Sequence, residues 1–126
     1  MATVEENLIT LIKTSPDIIA LVGDRIKPVE LPLNCPLPAI TYTVISDPNH
    51  QVAGYPRIQL SVYSFSYGEM KAISDFLRDK LKGYTGIIDG MHIIRISPEN
   101  SNDISNDAAG VFGRANDYKI IYRREA

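Results

Sequence analysis

One thiol and two imidazoles are the residues best suited to chemistry here: Cys35, His50 and His92. A cysteine and a histidine brought together by folding would make an activated nucleophile. Cys35 sits between Asn34 and Pro36 in a proline-rich stretch, a setting for a half-buried structural cysteine. None of the ligand spacings typical of a zinc site is present. Ser61, Ser64 and Ser66 lie on or just after a predicted strand, outside any G-x-S-x-G elbow. The glycines form neither G-x-G-x-x-G nor a P-loop. The adjacent carboxylates Glu5 and Glu6 fall at a predicted helix start, where the helix dipole favours them. Asp103 and Asp107, with Asn102 and Asn106, hint at a calcium loop, but the D-x-[DN]-x-[DN]-G order is missing. Lys119, Arg123 and Arg124 form a small basic cluster, too few charges for a nucleic-acid footprint. They suit a charged edge strand that resists aggregation. No catalytic residue, cofactor-binding residue or metal ligand is predicted.

Composition narrows the classes further. Thirteen basic against fifteen acidic residues give a formal charge of −2. A dedicated nucleic-acid binder draws its affinity from many cations neutralising phosphates, which this balance disfavours. A single cysteine excludes an intrachain disulfide and fits a reducing cytoplasm. The segment MATVEENLIT lacks the basic and apolar regions of a signal peptide. No stretch approaches the roughly 20 apolar residues of a membrane span. A chain of 126 residues fits one domain, 1–126, with one core.

The elements that would position these residues follow from periodicity. Thr3 and Glu6 match a capping box, and Val4, Leu8, Leu11 and Ile12 fall on one helical face. Ser15 and Pro16 suit the start of a short second helix, and Gly23 its end. Residues 27–38 hold four prolines, which bars helix and central strand and predicts an extended surface crossing. Strands are predicted at Ala39–Ser46, Arg57–Phe65, Met91–Ser97 and Tyr118–Arg124. Arg57–Phe65 alternates with one dry and one wet face. Ser66 and Glu69 form a second capping box ahead of a helix over Tyr67–Lys82. Its stripe is Met70, Ile73, Leu77 and Leu81. The predicted fold is α+β: a mainly antiparallel four-stranded sheet, this amphipathic helix packed on one face, and an N-terminal helix.

Two connections are long, 46–57 and 97–117. Structureless loops beyond roughly 12–15 residues are uncommon and usually functional or disordered. The second is polar at its start and has an apolar centre, Val111-Phe112, between Gly110 and Gly113.

Three segments carry a family resemblance. They are ALVGDRIKPVELPLNCPLPAITYTVIS after an amphipathic helix, RIQLSVYSFSYGEMKAISDFLRDKLKGYTGII, and the ending DYKIIYRRE. Together they resemble the tail-completion proteins of long-tailed bacteriophages and prophages, also called tail-terminator or tail-to-head joining proteins. The resemblance covers nearly the whole chain and implies a structural virion protein, not an enzyme, made in the host bacterial cytoplasm. It implies a homo-oligomeric ring, typically a hexamer, at the head–tail junction. That ring caps the tail tube protein, meets the head connector or head-completion protein, and leaves a channel through which DNA passes without specific binding. No cofactor and no membrane enter this picture. The predicted interface residues lie on the two long connections: His50 and Tyr55 on the first; Asn102, Asp103, Asp107, Val111, Phe112 and Arg114 on the second. The second loop is expected to be mobile in the free protein and to order on assembly, anchored by Val111 and Phe112. Asp103, Asp107 and Asp117 are candidates for an acidic channel wall. The alternatives are another ring or tube component of the same particle, a small hydrolase using Cys35 and a histidine, and a small nucleic-acid adaptor.

Overall fold

The structure, a computed structural model, describes residues 3–48, 53–106 and 110–124. Two helices open it, α1 (Val4–Ile12) and α2 (Pro16–Val22). The Thr3 hydroxyl accepts from the Glu6 amide at 3.2 Å, and the Thr3 amide donates to Glu6 Oε1 at 3.1 Å. That is the reciprocal box the sequence predicts. At α2, Ser15 occupies the cap position without a side-chain bond. Gly23 ends α2 at φ 58°, a conformation glycine adopts without steric cost.

The strands are β1 (Ile26–Pro28), β2 (Ala39–Ser46), β3 (Ala53–Gly54), β4 (Arg57–Ser64), β5 (Gly86–Ile88), β6 (Met91–Asn106) and β7 (Val111–Arg124). They form one curled, mixed, seven-stranded sheet in the order β1-β2-β4-β7-β6-β5, with β3 also on β7. This overturns the expected four-stranded, mainly antiparallel sheet. Strands β1, β3 and β5 have only two or three residues, too short for periodicity to reveal. β1 also runs parallel to β2.

Two further corrections follow from the register. The 97–117 connection is not a long loop. β6 and β7 pair continuously from Met91–Arg124 to Asn106–Val111, apart from two bulges. Its polar sequence hides strands because cross-strand pairing, rather than burial, holds its outer part together. The basic cluster is also not on an edge strand: β7 lies between β4 and β6.

Helix α3 (Tyr67–Leu81) packs across β4 and β7, and α1 and α2 pack on α3. Register places Ile58, Leu60, Val62, Tyr118 and Ile120 on the helix side of the sheet. There they join Leu8, Ile12, Ile18, Met70, Ile73, Leu77 and Leu81 in one buried core. The opposite face carries Arg57, Gln59, Ser61 and Tyr63 from β4. From β7 it carries Gly113, Ala115, Asp117 and Lys119. It is referred to below as the open face.

Candidate functional site

The end of the sheet where β6 and β7 pair farthest from Met91 gathers half of the interface residues singled out by sequence. The start of α3 is built beside it. Ser66 Oγ accepts from the Glu69 amide at 3.3 Å. The predicted box is completed through a third residue. The Ser66 amide donates to Ser64 Oγ at 3.0 Å, and the Ser64 hydroxyl donates to Glu69 Oε1 at 2.7 Å. Three polar groups thus fix the first turn of α3 against the end of β4.

That turn holds the β6–β7 arm. The Tyr67 hydroxyl donates to Asp103 Oδ2 at 3.0 Å, and Arg114 Nε donates to Asp103 Oδ1 at 2.9 Å. Asp103 and Arg114 are register partners across the arm. The Arg114 guanidinium first, and the Tyr67 hydroxyl second, hold the Asp103 carboxyl below its ordinary range. The Tyr67 ring meets Phe112 edge to face, centroids 5.6 Å apart at 78°. Deeper in, Asn116 Nδ2 donates to Leu60 O at 3.2 Å and to Ser74 Oγ at 3.3 Å. The Ser101 hydroxyl donates to Asn116 Oδ1 at 2.9 Å. This buried set ties β4, β6, β7 and α3 at the arm's root.

The arm end is apolar on both sides. On the helix side are Tyr67 and Phe112, each about two-fifths exposed. On the open side Tyr63 lies across Gly113, where an added Cβ would meet its ring at 3.0 Å. Next to it, Leu31, Pro32, Leu33, Leu37, Phe65 and Val111 line a groove of about 540 Å³. Leu33 is 93% and Phe65 66% exposed. A contiguous exposed apolar surface of this kind suits contact with another molecule.

The structure brings four predicted residues together here: Asp103, Val111, Phe112 and Arg114. Asn102 is exposed on the open face of the arm, opposite Ala115. Tyr55 is elsewhere, between β3 and β4, with the Lys119 ammonium 5.5 Å from its ring centroid. His50 and Asp107 lie outside the described residues. Sequence reading missed Leu33, Tyr63, Phe65 and Tyr67. The run Tyr63-Ser64-Phe65-Ser66-Tyr67, three aromatics in five residues at a strand end, was the available signal.

Cys35 lies in the groove wall, its thiol 3.5 Å from the Pro36 carbonyl. His92 pairs with Arg123 on β7, twelve residues along from Val111 at the groove. At about 3.3 Å per residue that is roughly 40 Å of strand, so Cys35 and His92 form no dyad. Among the described residues no three of His, Cys, Asp and Glu gather as metal ligands, and no helix is long and apolar enough to cross a membrane.

These surfaces define an α+β protein whose outward features, an arm and an apolar groove, suit contact with other polypeptides. Comparison with known families places it. The family described as "Tail completion protein gp17" matches residues 6–123. The chain belongs to that family, and is a structural tail protein of the bacteriophage virion. Among solved structures, a chain from the virion of a native gene transfer agent particle has the same fold. Its TM-score is 0.73 over 95% of this chain and 94% of that one, at 12% sequence identity. A search of curated protein sequences gives no match.

Proposed function

We propose that this protein caps the finished tail tube as a homo-oligomeric ring, typically a hexamer, at the head–tail junction, and joins the tail to the head connector. It acts by binding, without catalysis, and leaves a channel for DNA. The observation that carries this reading is the arm end. Family membership makes the chain a tail protein, and the apolar end around Phe65 and Phe112 gives it a surface for its neighbours. The arm is a paired hairpin braced on α3. It therefore meets its partner largely pre-ordered, which reduces the entropy lost on association. Asp103 is engaged by Arg114 and Tyr67, and Asp117 accepts from Gln59 Nε2 at 3.0 Å. Both acids serve internal bonds, which weakens the idea of an acidic channel wall built from them.

The test is electron microscopy of particles assembled without this protein. Tails of uncontrolled length, or finished tails that fail to join heads, are expected. Normal virions would overturn the reading.

A further inference from the structure

Beyond its buried middle at Ser61 and Ala115, the open face of the sheet differs in kind from the apolar arm end. Arg57 and Lys119 are register partners across β4 and β7. Arg123 follows four residues along β7, and Arg95 on β6 pairs with Ile121 between them. Arg95 Nε donates to Ser97 Oγ at 3.1 Å, and Ser97 is the register partner of Lys119. All four cations therefore share one face, in a strip roughly 13 Å long at about 3.3 Å per residue and three strands wide. Two carboxylates accompany them. Asp117 lies 4.0 Å from Arg57 Nε, and Glu99 lines the same shallow pocket as Arg57, Lys119 and Tyr55.

The charges are weakly spent within the molecule. Among the described residues, only Arg57 of the four has a carboxylate within 4.0 Å. Arg57 Nε is buried without a hydrogen-bond acceptor among those residues. Lys119 rests over the Tyr55 ring. Arg95 and Arg123 are exposed. Four cations and two anions give this strip +2. The whole chain carries −2, so the remainder stands at −4. The strip is thus net positive on a chain that is net negative.

We infer that this strip is a contact surface for the phosphodiester backbone of DNA. Two surface types separate here by composition. Protein interfaces deplete charged residues at their centre and favour aromatics, as the arm end does. Nucleic-acid interfaces are more polar and much more positive, as the strip is. A polyanion complements it, and a strip this small binds weakly, independently of sequence and with strong salt dependence. The inference rests on the proposed ring around a DNA channel in one respect: it assigns the open face to the channel side.

The experiment measures anisotropy of a short fluorescein-labelled DNA duplex titrated with the full chain at several salt concentrations. Weak binding that falls steeply with salt is expected. The variant Arg57→Gln/Arg123→Gln should flatten the plot of log K against log salt by about 2 units, since each lost phosphate contact removes roughly 0.9. The control Lys71→Gln/Lys80→Gln changes net charge equally on α3 and should leave the slope unchanged. Circular dichroism checks that each variant is folded. Absence of binding at low salt, or equal loss in the control, would overturn the inference. So would tighter binding of polyglutamate than of DNA, which would mark the strip as a site for an acidic protein. Failure of this test leaves the ring reading standing; that reading fails only if particles lacking the protein are normal.

Discussion

Tyr67 and Asp103 are thirty-six residues apart in sequence, yet the Tyr67 hydroxyl lies 3.0 Å from the Asp103 carboxylate. This bond joins the first turn of α3 to the strand that leads into the arm. The same turn is held by Ser64, Ser66 and Glu69, so the brace stands on a fixed base. A flexible hairpin would lose entropy on docking; a braced one loses less.

The first prediction concerns that brace. Asp103 ionises below its ordinary range because Arg114 and Tyr67 stabilise its charged form. A carboxyl depressed by folding adds stability above its unfolded pKa, and that stability is lost as pH falls through the folded value. Acidification should therefore loosen the arm before it affects the core. Protection of the amides of residues 101–104 against hydrogen exchange, taken relative to the intrinsic rate at each pH, should fall at low pH, and Tyr67→Phe should bring the onset to higher pH. Identical exchange in the variant at every pH would show that the bond does not hold the arm.

A second prediction tests the arm's root. Asn116 is 6% exposed and bonds to Leu60, Ser74 and Ser101. Asn116→Ala strands buried partners, at a cost of roughly 1–3 kcal/mol. A lower urea midpoint with an unchanged m value is expected. An unmoved midpoint would mean that water replaces the side chain without loss.

Burial makes a third prediction. Tyr118 is 2% exposed, and its phenol is pushed up to about 12, chiefly by burial, against the nearby Arg78 charge. In the unfolded chain it ionises near 10. Between those values the unfolded state releases the proton and the folded state keeps it, so stability is full below pH 10 and falls toward pH 12. The loss attributable to this group is on the order of 2 kcal/mol. It is read as the difference between the wild-type protein and Tyr118→Phe in alkaline unfolding. Parallel curves for the two proteins would sink it.

The arm end supplies a fourth. Phe65 is 66% exposed, so Phe65→Ser should shift stability by no more than about 0.5 kcal/mol, whereas Phe112→Ser also loses the edge contact with Tyr67, worth about 0.5–1.5 kcal/mol. Assembly should suffer beyond either change. Complementation of particles lacking the protein would fail with Phe65→Ser while its urea midpoint stays in place. Full complementation would remove the arm end from the interface.

What the sequence made legible was whatever buries a periodic face. Met70, Ile73, Leu77 and Leu81 announced α3, and Ile58, Leu60 and Val62 announced β4. The Thr3–Glu6 box was readable because both partners are local. The sheet's width was not, because β1, β3 and β5 exist only as pairings to longer strands. The outer arm was hidden for a related reason. Asn102, Asp103 and Ser105 look like loop residues, and only the facing residues Arg114 and Phe112 give them a ladder to join. Val111 and Phe112 stand out as an apolar island between glycines. Tyr67 and Leu33 do not, one reading as a helix start and the other as part of a proline-rich crossing. Their role depends on contacts with distant segments, which no local pattern records.

The last prediction concerns Gly54 and Tyr122, which face each other where β3 meets β7. The Tyr122 ring covers Gly54 so closely that an added Cβ would lie 2.8 Å from its Cε1. The three nearest atoms all belong to that ring. Gly54→Ala must therefore displace Tyr122, which packs against the core, at a cost of about 1–3 kcal/mol. With Tyr122→Ala already in place the obstruction is gone. Gly54→Ala should then be neutral or stabilising by roughly 0.4–1 kcal/mol, because alanine restricts the unfolded chain. Urea midpoints of the two single variants and the double variant give the coupling directly. If Gly54→Ala costs the same in both backgrounds, the ring is not what excludes the side chain. If the coupling appears, Tyr122 is the residue that seats β3, and with it the strand entry that carries Tyr55 to Lys119 on the open face.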